Sequence, residues 1–178
     1  MEHTLPAPWK SLSPYEVENA CKLIGKDWML ICAGDASDKA PIPSAMTASW
    51  GCMGVLWNKP VCVAFIRPQR HTYTLTESHD RLSFAFFDDS YRDVLRHFGA
   101  KSGRDEDKFA ATRLTRAYHP TTGTLYPAQA RLVLFCRKLY TDMLRPEAFL
   151  DSSLLSNYEA GDFHRMYVCE IEEAWRKA

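Results

Sequence analysis

Val61-Cys62-Val63-Ala64-Phe65-Ile66 is an unbroken apolar run between an Asn58-Lys59-Pro60 turn and Arg67-Pro68. Continuous apolarity over so short a stretch predicts a strand covered on both faces, ended where Pro68 forces the preceding residue into extended backbone. Further strands are expected at Trp28 to Ala33, Ala45 to Trp50, Leu82 to Phe87, Leu114 to Tyr118, Thr124 to Tyr126, Arg131 to Tyr140 and Met166 to Ala174. The first two of these read as a hairpin across the polar loop Gly34 to Lys39.

Helices are few and short. Ser13-Pro14-Tyr15-Glu16 reads as a capping box opening a helix that ends near Gly25. Thr72 is placed as the cap of a helix through about Ser78. Asp88 or Asp89 caps one from Ser90 to Phe98, closed by Gly99. Another is expected from Glu106 to Ala111, and a helical turn inside the long connection Asp142 to Asp162. This is a mainly β chain whose many strands predict a closed or partly closed antiparallel barrel. Strand-helix alternation and a Gly-x-Gly-x-x-Gly phrase are both missing, so any nicotinamide cofactor is not held in the Rossmann manner.

Length and charge narrow the class. At 178 residues, one domain over 1–178 is expected. Twenty-two basic side chains balance twenty-two acidic ones, which removes the global field expected of a protein for nucleic acid or an anionic membrane. No apolar stretch reaches the roughly 18 residues of a membrane span and no signal-like N-terminus is present, so a cytoplasmic location is expected. The six cysteines are scattered singly and read as reduced thiols, mostly core, with Cys52 the one to watch. The histidines show no metal spacing, and His97 and His119 read as surface or helix-end residues. No Ser-His-Asp set, Cys-His pair or carboxylate dyad is recognisable, so no catalytic side chain is assigned.

Three phrases carry the chemistry: Ser44-Ala45-Met46-Thr47-Ala48-Ser49-Trp50-Gly51, Arg67-Pro68-Gln69-Arg70-His71-Thr72-Tyr73 and Lys101-Ser102-Gly103-Arg104-Asp105. Small hydroxyl residues beside a planar aromatic suit a flat heteroaromatic ring. The Arg/Thr/Tyr and Lys/Ser/Gly clusters supply the cations and donors a phosphate dianion needs. Arg70 is the best single phosphate candidate, since a guanidinium presents a planar fork of donors.

In this order the phrases resemble the flavin reductase-like FMN-binding family, to which flavoredoxin belongs. The likeness runs from about Ser13 to Glu173, through Asn157-Tyr158 and the closing segment Gly161-Asp162-Phe163-His164-Arg165-Met166-Tyr167. It implies a split β-barrel, commonly a homodimer, with FMN as cofactor. Met46, Thr47, Ala48, Ser49 and Trp50 would line the isoalloxazine; Arg67, Arg70, Thr72 and Tyr73 would address the ribityl phosphate; Lys101 and Ser102 would contact the cofactor. The chain departs from the family's pattern at Ser44 for asparagine, His71 for tyrosine, Ala100 for serine and Cys52 for glycine. His164 faces either the flavin or a neighbouring subunit, or is a structural histidine. The activity implied is an NAD(P)H-dependent reductase passing electrons from FMN to a flavin, ferric or protein acceptor. A flavoredoxin-type electron carrier without nicotinamide activity and a split-barrel binding module that has lost FMN are the alternatives.

Overall fold

The computed structural model describes residues 7–14, 19–39 and 42–178. Its strands are β1 (Trp9–Leu12), β2 (Met29–Ala33), β3 (Ser44–Ala48), β4 (Gly51–Leu56), β5 (Lys59–Ile66), β6 (Arg81–Phe86), β7 (Arg116–Tyr118), β8 (Leu125–Pro127), β9 (Leu132–Met143) and β10 (Arg165–Lys177). The α-helices are α1 (Ala20–Lys22), α2 (His71–Ser78), α3 (Arg92–Ala100) and α4 (Lys108–Thr112). One sheet runs in the order β3-β2-β6-β9-β10-β5-β4, with β1 also on β10, and all its pairings are antiparallel.

The two ends of that order, β3 and β4, are consecutive in the chain and separated only by Ser49 and Trp50. Three residue steps span at most about 11 Å, so the sheet must curl until its edges nearly meet. Gly51 records the result: a Cβ there would lie 2.8 Å from the Val63 carbonyl oxygen in β5 and 3.2 Å from Met29 Cε in β2. The molecule is a barrel left unzipped at one seam, the split barrel expected from the sequence.

Period-two patterning divides the core. Met29, Ile31, Cys62, Ala64, Ile66, Phe84, Leu134 and Cys169 point into the barrel. Their neighbours Leu30, Cys32, Ala85, Val133 and Phe135 point out into a second core under α3, α4 and the β7-β8 hairpin, with Trp9, Phe98, Phe109 and Trp175. Strand β2 is therefore buried at every residue. The run expected to be covered on both faces is covered on one: Val63 and Phe65 on the outer face of β5 remain half-exposed.

Several local expectations shift. Tyr15 and Glu16 of the proposed capping box lie outside the described residues; the described helix starts at Ala20, capped by the Asn19 side chain accepting the Lys22 amide at 3.1 Å, and continues as a π turn through Asp27. Helix α2 begins at His71, so Thr72 is a buried second helical residue and not the cap. Helix α3 runs past Gly99, because the Lys101 amide still bonds the His97 carbonyl at 2.9 Å. Helix α4 is capped by Asp107, whose carboxylate accepts the amides of Phe109 and Ala110. Strands β1 and β4 were not expected. Two glycines dilute the apolar signal of β4, which is held by its pairing with β5 through a Trp57-Asn58 turn, both residues at positive φ as a tight hairpin needs. His119 is buried against Phe135 and Trp175, its Nε2 3.2 Å from Glu173, and is no surface residue.

Gly51→Ala is expected to destabilise the fold by about 1–3 kcal/mol, since the new methyl strikes a backbone carbonyl that cannot swing away. Gly54→Ala in the same strand, where an added Cβ meets nothing within 4 Å, should unfold at close to the wild-type urea midpoint.

Candidate functional site

Strand β3 borders two hollows that share Met46. The first, about 160 Å³, is walled by Arg70 and Thr72 from the start of α2, Lys101 and Ser102 after α3, and Lys108 at the start of α4. The second, about 200 Å³, is lined by Thr47, Ala48, Ser49, Trp50, Phe65, Arg67 and His164. Residues far apart in sequence thus meet along one strand: a basic hollow at one end and an aromatic cleft at the other.

The basic hollow has no acidic residue in its wall. Its cations are positioned by the C-terminal carbonyls of α3, where the helix dipole favours positive charge. Both terminal nitrogens of Arg70 donate to the Gly99 oxygen at 3.0 Å, and Lys108 Nζ donates to the Phe98 oxygen at 3.1 Å. Lys108 is 3% exposed. Burial, and after it the charge of Arg70, pushes the Lys108 ammonium down to about 8. Burial and then Arg104 and Lys108 likewise lower the His71 imidazole. Glu106 offsets part of that effect at Lys108 from outside the hollow's wall, and an anion entering between Arg70 and Lys108 would favour both charged forms.

At the aromatic end, Trp50 is 46% exposed and stands 5.3 Å from the His164 ring. His164 Nδ1 lies 2.9 Å from the Tyr158 hydroxyl. Burial, then the charge of Arg67, pushes its imidazole down to about 4, so it is neutral at neutral pH. The Thr47 hydroxyl donates to the Leu95 carbonyl at 2.5 Å, which ties β3 to α3.

Most of the residues singled out in the sequence border one hollow or the other, with two differences. Arg67 lies in the aromatic cleft, ion-paired to Asp162 and bonded to the Asn157 carbonyl at 2.9 Å, away from the basic hollow. Strand β5 ends there, and Asp162 in the closing loop neutralises it. Tyr73 packs against the barrel core and engages Arg165, lining neither hollow. Lys108 was missed, because a lysine opening a helix reads as a solvated residue until the fold buries it. Cys52 is exposed and lines a separate hollow with Cys21 and Trp50 beyond the seam. Asp35, Asp38 and His79 also converge, with His79 Nε2 2.9 Å from Asp38, tying the loop after β2 to the end of α2.

Lys108 makes the apo-protein's stability pH-dependent in a definite direction. The folded protein releases this proton near 8 and the unfolded chain near 10.5. Between those values the unfolded chain holds more protons, so this residue's contribution to stability rises with pH. Lys108→Met should remove that rise, read as the change in urea midpoint between pH 7.5 and pH 10 in both proteins, values chosen to bracket the interval.

The family model described as "flavin reductase like domain" matches residues 24–178. No curated protein matches the chain. Among solved structures of similar fold is the FMN-binding protein from Thermus thermophilus with bound p-hydroxybenzaldehyde, with a TM-score of 0.64 and 19% identity over 84% of this chain and 71% of that one. Flavoredoxin from Methanosarcina acetivorans has a TM-score of 0.64 at 17% identity, covering 85% of this chain and 68% of its own. An NADH:FAD oxidoreductase from Streptomyces globisporus has a TM-score of 0.61 at 17% identity, covering 84% and 75%. The split barrel, the position of the basic hollow beside β3 and the family match over residues 24–178 agree, and the chain belongs to the flavin reductase like domain family.

Proposed function

We propose that the chain binds FMN along β3 and works as an NAD(P)H-dependent flavin reductase-like oxidoreductase. The observation that carries this reading is the shared wall of the two hollows at Met46: an acid-free cationic pocket lies at one end of a strand and an open aromatic cleft at the other. A flavin mononucleotide has the same two ends. Arg70, Thr72, Lys101, Ser102 and Lys108 would receive the phosphate, and Met46 to Trp50 would lie along the ring. Arg67 would border the ring end, its charge already matched by Asp162.

Bound FMN supplies hydride acceptance and onward electron transfer, with the protein contributing orientation and electrostatics. The side chains here suit that division. Neutral His164, held by Tyr158, offers a fixed polar edge without adding charge at the cleft. Trp50, half out in solvent at the seam, can cover a planar ligand while leaving the cleft open for a donor or acceptor. The structural likeness to flavoredoxin keeps an electron carrier with no nicotinamide activity as the second reading.

A homodimer belongs to the same proposal. Cys52, Val63, Val168 and Tyr140 form one lateral row across β4, β5, β10 and β9 on the outer face of the barrel. Phe65 and Met166 form the next row, which ends at Asp142 on β9. Val55, Leu56 and Trp57 at the hairpin tip are 61%, 41% and 55% exposed. A contiguous apolar strip of this kind is what a second copy would cover.

Purified protein is expected to carry a visible flavin absorption band that bleaches on anaerobic addition of NADH or NADPH; a band that persists assigns the chain to the carriers. Arg70→Ala should weaken FMN, followed by fluorescence quenching, by about 10- to 100-fold, the loss of a charge-assisted bond of about 1.5–3 kcal/mol. Trp57→Glu should convert a dimer to a monomer in light scattering; an unchanged mass would move the interface elsewhere.

A further inference from the structure

The aromatic cleft holds one permanent charge. Among the described residues lining it, Arg67 alone is ionised at every ordinary pH, since the imidazole of His164 is pushed down to about 4. Arg67 stands there because β5 ends at Ile66, directly before it. Its guanidinium donates to the Asn157 carbonyl at 2.9 Å, pairs with Asp162 and lies 5.3 Å from the centre of the Tyr158 ring.

Asp162 uses its two oxygens unequally. Oδ2 accepts from Arg67 and from the Gln69 side-chain amide, the latter at 2.5 Å. Oδ1 is buried and accepts from no other residue. An asparagine would meet both donors through its single carbonyl oxygen, so hydrogen bonding accounts for one oxygen of the carboxylate and not for the second. What Asp162 adds over an amide is negative charge, held 18% exposed against the arginine of the cleft.

That charge is felt in the cleft wall. Tyr158 and His164, 2.9 Å apart at their polar atoms, respond to the pair in opposite senses: Arg67 lowers the proton affinity of each and Asp162 raises it. A flavin ring in the cleft would stand in the same field. Hydride acceptance delivers two electrons with one proton, so the reduced ring is one negative charge richer than the oxidised one, and a nearby cation favours it.

We propose that Asp162 is a positioning residue for the redox step: by offsetting Arg67 at the ring end of the cleft, it keeps bound flavin a stronger reductant than an unpaired arginine there would allow. This rests on the flavin reading above and assigns a role to a residue that does not line the cleft. Asp162 acts through Arg67, and its effect is electrostatic.

The midpoint potential of FMN bound to wild type, Asp162→Asn, Arg67→Gln and the double variant, measured by spectroelectrochemistry, tests it. Asp162→Asn is expected to favour the reduced form about tenfold, an upward shift of about 30 mV for a two-electron couple. Arg67→Gln should move the potential down, and the double variant, again without net charge, should return close to wild type. In flavin-free protein the His164 titration followed by NMR should fall further in Asp162→Asn and rise in Arg67→Gln. Single variants that leave the potential unchanged, or that move it in the same direction, overturn the inference and leave the flavin reading intact. Should Asp162→Asn fail to fold, Arg67→Gln must still lie below the double variant, and a potential equal to or above it overturns the inference as well. A wild-type protein that takes up no FMN removes the flavin reading and this inference together, an outcome recognised by the missing visible band.

Discussion

Ser49 and Trp50 tie the last strand of the sheet's path to its first, and that covalent tether makes the sheet a barrel instead of an open layer. With its edges drawn together, the interior residues of every strand share one core, and the outward residues of β2, β6 and β9 share another with α3 and α4. The tether also keeps the seam from pairing. Ser49 and Trp50 remain partly exposed beside the aromatic cleft, while β3 itself is buried except at Thr47.

The charges of the site depend on where the barrel holds α3. Its last carbonyls point at the basic hollow and accept from Arg70 and Lys108, two cations from separate parts of the chain. Burial acts against the charged form of each, and the charge of Arg70 acts further against that of Lys108, while the negative end of the helix dipole offsets part of that cost. Such an arrangement is poised for an anion without being collapsed onto a carboxylate. Arg67 shows the opposite solution a few residues away: paired with Asp162, it serves the shape of the closing loop and the neutrality of His164 more than it serves charge.

The strands buried on both sides, β2, most of β6 and the first five residues of β9, were legible because nearly continuous apolar runs admit few other placements. Strand β4 was not, since Gly51-Cys52-Met53-Gly54 has little propensity of its own and is held by pairing with β5. Arg70, Thr72, Lys101 and Ser102 were legible as cations and donors clustered at strand and helix ends, and the structure brings them to the wall of one hollow. Lys108 and the His164-Tyr158 pair were not, because nothing local distinguishes a buried lysine or histidine from a solvated one.

Composition and local pattern alone settled that this chain is mainly β, short in helix and free of any global field, and that its cations and hydroxyls cluster in a few phrases. Those properties follow from side-chain chemistry and nearest neighbours, which the order of residues states directly. Which of two arginines faces the hollow, which lysine is desolvated and which apolar face stays bare were decided only by tertiary structure. Each depends on distances between segments far apart in the chain, and those distances exist only once the sheet has curled round and met itself.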